Sequence, residues 1–594
     1  MHAIDQVPKP LWRQWPVYVV WLALAVQLSL PAWPNPLIAA PFGQDDALRL
    51  VQVRDLLAGQ AWYDLVQHRL QPPQGLDMHW SRLIDAPMVV LAWLFGEQAM
   101  LFLWPSLLIG AFLFAALYAV RQLSTGIDLL PVLLVSALCL VPLSYFAPAR
   151  IDHHNVQMVL ALVLAGAIMR PLQTKTPAVI SALCCALMMA IGLETLPYVV
   201  VALAVISASW ALGLSNDKPV ALFATSFAGL TAFVWVAQTN FQSQAAVCDM
   251  LSPAYLIPII FGCLGLVIST QLCKNLGRKS RFGMLVLTAI MAVAVFVWTN
   301  PVCLGGPMAE VPGDLQERWL KTVAEAQPVW SIVQSAPNLA VERYGPPLLA
   351  LAAALVLFLK RPQLRYGLTV ILALLLAAMV ISVVQLRGTL FAHVFTIPVF
   401  ALAIDLARKN FVANQKSVKA VVILAMAFLT CQSLFFMIAS PFAAPSQIET
   451  SAVQPISIAA MPLTKIESEC AGQNVRDAVA MLGKANIAAP VFLGAQILEM
   501  GSASVIAGPY HRATVAIFDM LKLFEDGPVA ERNVLSRRSL DYLVVCLTSD
   551  DTADVVSKHP QSLTARLKNG DVPNWLQPLP KAGQLAIYRV LPNQ

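Results

Sequence analysis

The chain has 594 residues, of which 58% are hydrophobic and 12% charged, and its mean hydropathy is +0.69. Soluble domains carry roughly 25% charged residues, so this composition excludes a soluble enzyme and indicates a polytopic α-helical membrane protein. The formal net charge of +6 arises from basic residues in the connections between apolar runs, and it implies no nucleic-acid partner.

Apolar runs near the ~20-residue length that crosses a bilayer recur along the first three quarters of the chain. They lie at about 16–37, 97–120, 128–146, 155–169, 176–193, 196–213, 219–237, 255–273, 283–298, 346–360, 366–384, 391–406 and 419–440. We therefore predict about thirteen transmembrane helices. The apolar segment 86–95 is too short to span and is interpreted as an interfacial or re-entrant piece. The first run lacks a small-residue cleavage site, so we expect no cleavable signal peptide.

Basic residues fall in alternate connections between these runs. They are Lys9, Arg13, Arg121, Arg170, Lys175 and Lys218, together with those in 274–281, 360–365 and 408–419. Because Lys and Arg accumulate in cytoplasmic loops, the pattern predicts a cytoplasmic N-terminus and an external chain from about 441 onward. We interpret the membrane as a bacterial inner membrane, which makes the C-terminal segment periplasmic.

The external side carries most of the ordered polar chain. Two long loops, 38–85 and 299–345, lie on it, and residues 441–594 have the composition of a soluble domain. Strand-like runs at 489–494, 503–510, 540–547 and 585–590 alternate there with helical stretches at 474–486 and 514–525. The sequence thus predicts a transmembrane domain over 1–440 and a small α/β periplasmic domain over 441–594.

Cysteine placement is consistent with this topology. Four of the ten cysteines fall outside the membrane, namely Cys248, Cys303, Cys470 and Cys546. An even number in an oxidising compartment favours disulfides, and the pairs Cys248–Cys303 and Cys470–Cys546 are candidates. Unpaired packing thiols remain the alternative.

Acidic residues and histidine gather where the chain meets the outer membrane surface. Asp45 and Asp46 open the first external loop, and Asp152 and His154 stand at the mouth of the fourth span. An ionisable side chain at membrane depth costs at least ~2.5 kcal/mol, which favours a functional role. Carboxylates with one imidazole suit a divalent metal ion. The alternatives are that Asp152 caps its helix and that Asp46 pairs with Arg49 at helical spacing.

Asp152 and His154 can face one ion only where the chain approaches the fourth span irregularly, because residues two apart point to different sides of a helix. Pro148 favours such an approach, since proline disfavours helix at the preceding residue. His153 is then expected to point elsewhere and to be the more replaceable histidine.

The string Arg150-Ile151-Asp152-His153-His154 is very similar to the Arg-x-Asp-His-His string of archaeal oligosaccharyltransferases. An Asp-containing first external loop, an Asp-x-His motif at the fourth span and a C-terminal outer domain together resemble the GT-C glycosyltransferases. Within that superfamily the chain looks most like the catalytic subunit of oligosaccharyltransferase. The likeness covers about residues 1–440.

This resemblance implies a polyprenyl-phosphate-linked sugar as donor and an inverting transfer. Arg387 stands where the family has an arginine that contacts the donor phosphate, and 299–345 occupies the place of a long family loop. The outer domain lacks the Trp-Trp-Asp string of the protein-glycosylating members, so asparagine-linked glycosylation is not expected. The polar stretch 508–520 is its most conspicuous surface and has no assigned role.

Roles follow from the residue types. Asp45 or Asp46 serves as general base, and Asp152, His154 and Asp46 hold Mg²⁺ or Mn²⁺. Arg387 clamps the donor phosphate, unless it only anchors the chain at the headgroups. The candidate supporting residues are Glu194, His79, Trp80, Arg82 and Glu310, with Asp314 and Glu317 as other acids of the 299–345 loop.

The sequence therefore predicts a glycosyltransferase that acts at the periplasmic membrane face on an envelope glycan, lipid or protein acceptor. A transporter or flippase of a lipid-linked or acidic solute is the alternative. Transporter spans often show inverted repeats and charges at the bilayer midplane. Here the ionisable residues gather at the outer ends and no repeat is visible, which favours the enzyme.

Overall fold

The computed structural model describes residues 10–39, 43–239, 246–414, 417, 418, 421, 470 and 472–592. Up to residue 414 the described chain is mostly helical, with one short hairpin, β1 (Val66–Gln67) and β2 (Leu76–Asp77). The helices are α1 (Trp15–Ser29), α2 (Pro36–Ala39), α3 (Gln44–Leu57), α4 (Arg82–Phe95), α5 (Glu97–Leu123), α6 (Leu129–Ala137), α7 (Leu140–Ser144), α8 (His154–Ile168), α9 (Lys175–Ile191), α10 (Leu196–Ala211), α11 (Asp217–Gln238), α12 (Pro253–Leu272), α13 (Arg278–Thr299), α14 (Gly313–Arg318), α15 (Val329–Ser335), α16 (Pro337–Lys360), α17 (Arg365–Val384) and α18 (Gly388–Ala413).

The polytopic membrane fold is confirmed. Within the described residues, nine helices are long and apolar enough to cross a bilayer, and each coincides with a predicted span. The shorter apolar helices α8 and α9 cover two more of the predicted spans. The predicted span 128–146 is two helices, α6 and α7, because Pro142 lacks the N–H that would bond the carbonyl of Leu138. The predicted span 419–440 lies almost entirely outside the described residues.

The membrane helices pack around α18. In its most apolar stretch 89% of the residues are buried, whereas the corresponding stretch of α13 has none buried within the protein. The apolar side chains of α13 are therefore left to contact lipid, and α18 is the central helix of the bundle. The segment 86–95 lies in α4, a 14-residue helix that is too short to span and begins at a Ser81 cap, whose hydroxyl accepts from the Leu83 N–H.

The C-terminal region is an α/β unit with one five-stranded sheet. Its elements are α19 (Gln473–Leu482), β3 (Asn486–Ala488), α20 (Gly494–Met500), β4 (Ser504–Val505), α21 (Thr514–Glu525), α22 (Pro528–Leu535), β5 (Tyr542–Cys546), α23 (Asp550–Lys558), α24 (Leu563–Lys568), β6 (Leu576–Pro578) and β7 (Leu585–Val590). The strand order is β4-β3-β5-β7-β6. Strands β4, β3 and β5 are parallel, and β7 runs antiparallel to both β5 and β6.

The strand predicted at 489–494 is wrong. The sheet instead takes the preceding residues as β3, and Val491–Leu493 forms a 3₁₀ turn that leads into α20. Pro490 explains the shift, because a proline cannot donate to a central ladder. The boundary predicted at 440 lies outside the described residues.

The segment between α3 and α4 shares one hydrophobic core with the C-terminal unit. Leu70, Met78 and Trp80 of this segment are buried in the same apolar cluster as the sheet strands. The backbone joins them as well, since the Gln71 N–H donates to the carbonyl of Val505 at 2.9 Å. The segment between α3 and α4 is therefore part of the packing of the C-terminal unit.

Both predicted disulfides are confirmed, with Cα–Cα distances of 5.1 Å for Cys248–Cys303 and 5.8 Å for Cys470–Cys546. The first joins the chain before α12 to the 299–345 loop. The described cysteines outside these two disulfides are all buried, at Cys139, Cys184, Cys185, Cys263 and Cys273.

Candidate active site

The first turn of α3 positions the two predicted acids on different sides. Asp46 is the third helical residue, and its Oδ2 accepts a hydrogen bond from the Gly43 N–H at 3.1 Å, which closes the helix N-terminus. This arrangement turns the Asp46 side chain back beneath the helix, and only 1% of it is exposed. Asp45, one position earlier, is half-buried and points to another side of the turn.

Asp46 is fully engaged in holding the Asp-His-His segment. Its Oδ1 accepts hydrogen bonds from the backbone N–H groups of Ile151 and Asp152 at 2.8 and 2.9 Å. The Arg150 Nε lies 3.0 Å from its Oδ2. The predicted irregular approach to α8 is confirmed, because Ala149 takes a left-handed φ of 63°. These contacts favour a positioning role for Asp46 over the predicted base and metal-ligand roles.

Asp152, His153 and His154 form one cluster with Glu194. The His154 Nε2 lies 3.4 Å from the Asp152 Oδ2, and its Nδ1 lies 2.9 Å from the Glu194 Oε1. His153 also belongs to the cluster, with its Nδ1 2.6 Å from the Asp152 Oδ1 and its Nε2 3.1 Å from Glu194. The expectation that His153 points elsewhere is therefore wrong. One ligand atom from each residue of the Asp-His-His triplet lies within 4.8 Å of the others, close enough to meet on one metal ion.

Opposite charges in this cluster set the protonation of its members. Burial alone would raise the pKa of Asp152, but the imidazoles of His153 and His154 outweigh it and hold that pKa well below its usual range. Burial would lower the pKa of His153, whereas the Asp152 carboxylate raises it above the ordinary value. Asp152 is thus a carboxylate at neutral pH.

Asp45 is the open carboxylate of the site. Among the described residues it has no hydrogen-bond or ion-pair partner, in contrast to Asp46. Burial, with the like charges of Asp152 and Glu325, raises the pKa of Asp45 to about 7. The acids of the site therefore repel one another, and a bound cation would relieve this repulsion.

Arg387 faces the cluster from the turn before α18. Its guanidinium nitrogens lie 4.0 Å from the Glu194 Oε2 and 3.9 Å from the Glu325 Oε2. The backbone fixes the same juxtaposition, because the Arg387 N–H donates to the Glu325 carbonyl at 3.1 Å. Its Nε is buried and has no hydrogen-bond partner among the described residues. A headgroup anchor would point toward lipid, so this placement favours an anion-binding role.

Glu325 is the acid of the 299–345 loop that the sequence did not single out. Glu310 lies elsewhere, with its Oε1 3.9 Å from the Cys248 sulfur. The backbone bond from Arg387 to Glu325 connects two segments that no spacing rule links. Several acids of that loop look alike in the sequence, and only the fold separates them.

Two other predicted supporting residues, Trp80 and Arg82, have different positions. Trp80 packs beside the cluster, and Arg82 lies behind it. Trp80 packs 4.4 Å from the guanidinium of Arg49, and its ring centroid lies 6.5 Å from that of His153. Arg49 bonds Asp85 at 2.9 Å and does not pair with Asp46. Arg82 donates to Asp85 at 3.2 Å, which places it behind the site as a buried support.

Replacing Asp46 by alanine is expected to destabilise the protein by roughly 3–5 kcal/mol, because it leaves a buried Arg150 charge unpaired. Two buried backbone N–H groups also lose their acceptor. Thermal unfolding of the purified protein in detergent measures the effect. Asp314→Ala, at an exposed loop position, is the control. An unchanged unfolding midpoint for Asp46→Ala would refute the positioning role.

Comparison with known proteins identifies the fold. No protein-family model matches the chain, and no curated protein sequence matches it. Among solved structures, the archaeal oligosaccharyltransferase AglB from Archaeoglobus fulgidus, in complex with an inhibitory peptide and a dolichol-phosphate, superposes with a TM-score of 0.67. The identity is 12%, over 98% of this chain and 74% of that one.

Two further structures agree. The Archaeoglobus fulgidus oligosaccharyltransferase in complex with Zn and sulfate has a TM-score of 0.62 at 13% identity, over 97% of this chain and 73% of that one. The arabinofuranosyltransferase AftD from Mycobacteria has a TM-score of 0.51 at 15% identity, over all of this chain and 42% of that one. The chain therefore has a GT-C fold that resembles oligosaccharyltransferase, as the sequence motifs predicted.

Proposed function

We propose that the protein is a glycosyltransferase that moves a sugar from a polyprenyl-phosphate-linked donor to an acceptor in the cell envelope. The observation that carries the proposal is the convergence of the open Asp45, the Asp152–His154 pair and Arg387 at the outer ends of the membrane helices. We place this face on the periplasmic side of a bacterial inner membrane, with the N-terminus in the cytoplasm.

The donor's phosphate is the ligand that best suits Arg387. Its buried Nε has no hydrogen-bond partner in the described part of the chain, and the Glu194 and Glu325 oxygens lie at ion-pair distance rather than at hydrogen-bond distance. A guanidinium group that faces the site and is not saturated with hydrogen bonds can donate to two phosphate oxygens at once. The apolar polyprenyl chain would remain among the membrane helices, where burial of its methylene groups is favourable.

Asp152 and His154 fit a divalent metal ion. Their Oδ2 and Nε2 atoms are 3.4 Å apart, which is close to the separation of two ligands that each bind an ion at about 2.0–2.2 Å. The nearby acids make the site electronegative, and we expect Mg²⁺ or Mn²⁺. A bound ion would polarise the donor phosphate as a Lewis acid.

In the proposed transfer, Asp45 accepts the proton of the acceptor hydroxyl. The acceptor oxygen then bonds to the sugar's anomeric carbon, and the bond from that carbon to the phosphate oxygen breaks. Polyprenyl phosphate leaves with the electron pair, and Arg387 stabilises the charge that develops on it. Attack opposite to the leaving group inverts the anomeric configuration. Glu194 holds both imidazoles in place during this step.

The C-terminal unit contacts the segment that carries Asp45. Its Tyr510 hydroxyl donates to the carbonyl of Gln44 at 3.0 Å, immediately before Asp45. The Tyr510 ring also meets Trp80 edge-on, with centroids 5.6 Å apart. Both rings are buried, so this aromatic pair fixes the C-terminal unit against the first turn of α3, which carries Asp45.

The proposal predicts transfer of label when purified protein, in proteoliposomes with envelope extract, is given radiolabelled polyprenyl-phosphate sugars. Label should enter an envelope glycan, lipid or protein, and an Asp45→Asn variant should lose the transfer. Asp314→Asn, in an exposed loop, is the matched control. Movement of the intact lipid-linked sugar across the bilayer, with no labelled product, would instead establish the transporter alternative.

A further inference from the structure

A second group of histidine and aspartate side chains lies where three segments of the external face meet. His79 follows the β1–β2 hairpin, Asp249 follows the disulfide cysteine Cys248, and His511 belongs to the C-terminal unit. One ligand atom from each of these side chains lies within 4.8 Å of the others. Residues far apart in sequence thus converge on a single point, outside the cluster described above.

We infer that His79, Asp249 and His511 form a zinc site that fastens the outer domain to the loops above the membrane. Two imidazole nitrogens and one carboxylate oxygen are a ligand set that Zn²⁺ commonly takes, with bonds of about 2.0–2.2 Å. The His511 Nε2 already lies 2.7 Å from the Asp249 Oδ2. The His79 and His511 ring centroids are 4.7 Å apart, so a small approach of His79 completes the set.

The environment of His79 is not explained by the salt bridge between His511 and Asp249. Its Nδ1 is buried and has no hydrogen-bond partner within the described part of the chain. A buried polar nitrogen without a partner costs free energy, whereas coordination to a metal ion satisfies it. His511 and Asp249, by contrast, would be satisfied by each other alone. The third side chain is therefore the one that points to a ligand.

Arg512 is not a proposed ligand but hydrogen-bonds the Asp249 carboxylate. Its guanidinium donates to the Asp249 Oδ2 at 2.6 Å and to the Oδ1 at 2.7 Å. Carboxylates that bind a metal are commonly held by such hydrogen bonds, which fix their orientation. Zinc would displace the proton shared by His511 and Asp249, and Arg512 would keep its hold on the carboxylate. This assigns a role to the polar stretch 508–520, for which the sequence suggested none.

Zinc binding to full-length protein tests the inference independently of glycosyl transfer. The protein carries Asp152→Asn and His154→Ala, which remove two of the three ligands of the other candidate metal site. After treatment with chelator, it is titrated with Zn²⁺ against a competing indicator. We expect binding of about one zinc ion per chain in this background. No binding by monodisperse protein would overturn the inference.

His79→Ala, added to that background, is the decisive variant. It leaves the bonds among Asp249, His511 and Arg512 intact, so the outer domain stays docked. We expect zinc affinity to fall by more than about 100-fold, beyond the roughly 10–100-fold loss expected when a residue that only hydrogen-bonds a ligand is removed. His68→Ala, at an exposed histidine of the same loop, should bind as the background does. Equal zinc binding by His79→Ala and the background would overturn the inference.

Discussion

Asp152→Asn is expected to reduce glycosyl transfer by at least about 10²–10³-fold, the range found when one preorganised electrostatic contact is removed. The Asn side chain keeps the shape of Asp152 but loses the charge that pairs with His153 and His154 and that we propose to bind a divalent ion. His154→Ala should have a comparable effect. Initial rates with a labelled polyprenyl-phosphate sugar measure both.

The same experiment decides the role of His153. Because His153 contacts both Asp152 and Glu194, His153→Ala should also impair transfer, in contrast to the sequence-based expectation. Added Mn²⁺ should partly rescue a variant that only weakens metal affinity, so the rates are measured over a range of Mn²⁺ concentrations. His68→Ala is the matched control at an exposed position. Full activity of Asp152→Asn in well-folded protein would contradict the proposed mechanism.

Arg387→Lys is expected to raise the KM for the donor roughly ten- to hundred-fold, because each lost charge-assisted hydrogen bond costs about 1.5–3 kcal/mol. Lysine keeps the charge but cannot grip two phosphate oxygens in one plane. Arg387→Ala should lower kcat as well, since it removes the cation that faces the leaving phosphate. Steady-state kinetics at varied donor concentration separate the two effects.

Arg361→Lys, at an exposed position in the turn after α16, is the control for the general effect of an Arg-to-Lys change. A second control is membrane insertion of each variant, which should equal that of the parent protein. If both Arg387 variants keep the parent KM for the donor, then Arg387 acts only as an anchor at the membrane surface.

Much of the membrane architecture could be predicted from the sequence. An apolar run of about 20 residues is stable across a bilayer largely by itself, because each helix satisfies its own backbone hydrogen bonds. For that reason the runs coincide with the helices of the described chain, and the residues that start α3 and α8 were recognised in advance. The two disulfides could also be predicted from the sequence, because four cysteines outside the predicted spans allow few pairings.

The different roles of Asp45 and Asp46 could not be predicted from the sequence. The two acids are neighbours of the same type, and a helix turn of about 100° per residue separates their directions. Only the tertiary structure brings the N–H groups of Ile151 and Asp152 to Asp46 and leaves Asp45 open. The strand predicted at 489–494 was misplaced for a related reason, because a three-residue strand such as β3 has little hydrophobic period to read.

By itself, the sequence determined the helical membrane class, the approximate spans, the C-terminal α/β unit and the Asp-His-His segment as the centre of interest. Each of these depends on local composition or on a short motif. The tertiary structure alone decided that His153 joins the cluster, that Glu325 faces Arg387, and that His79 meets Asp249 and His511. These contacts join segments that the chain brings together only after the helices pack, and side-chain direction then decides which groups meet.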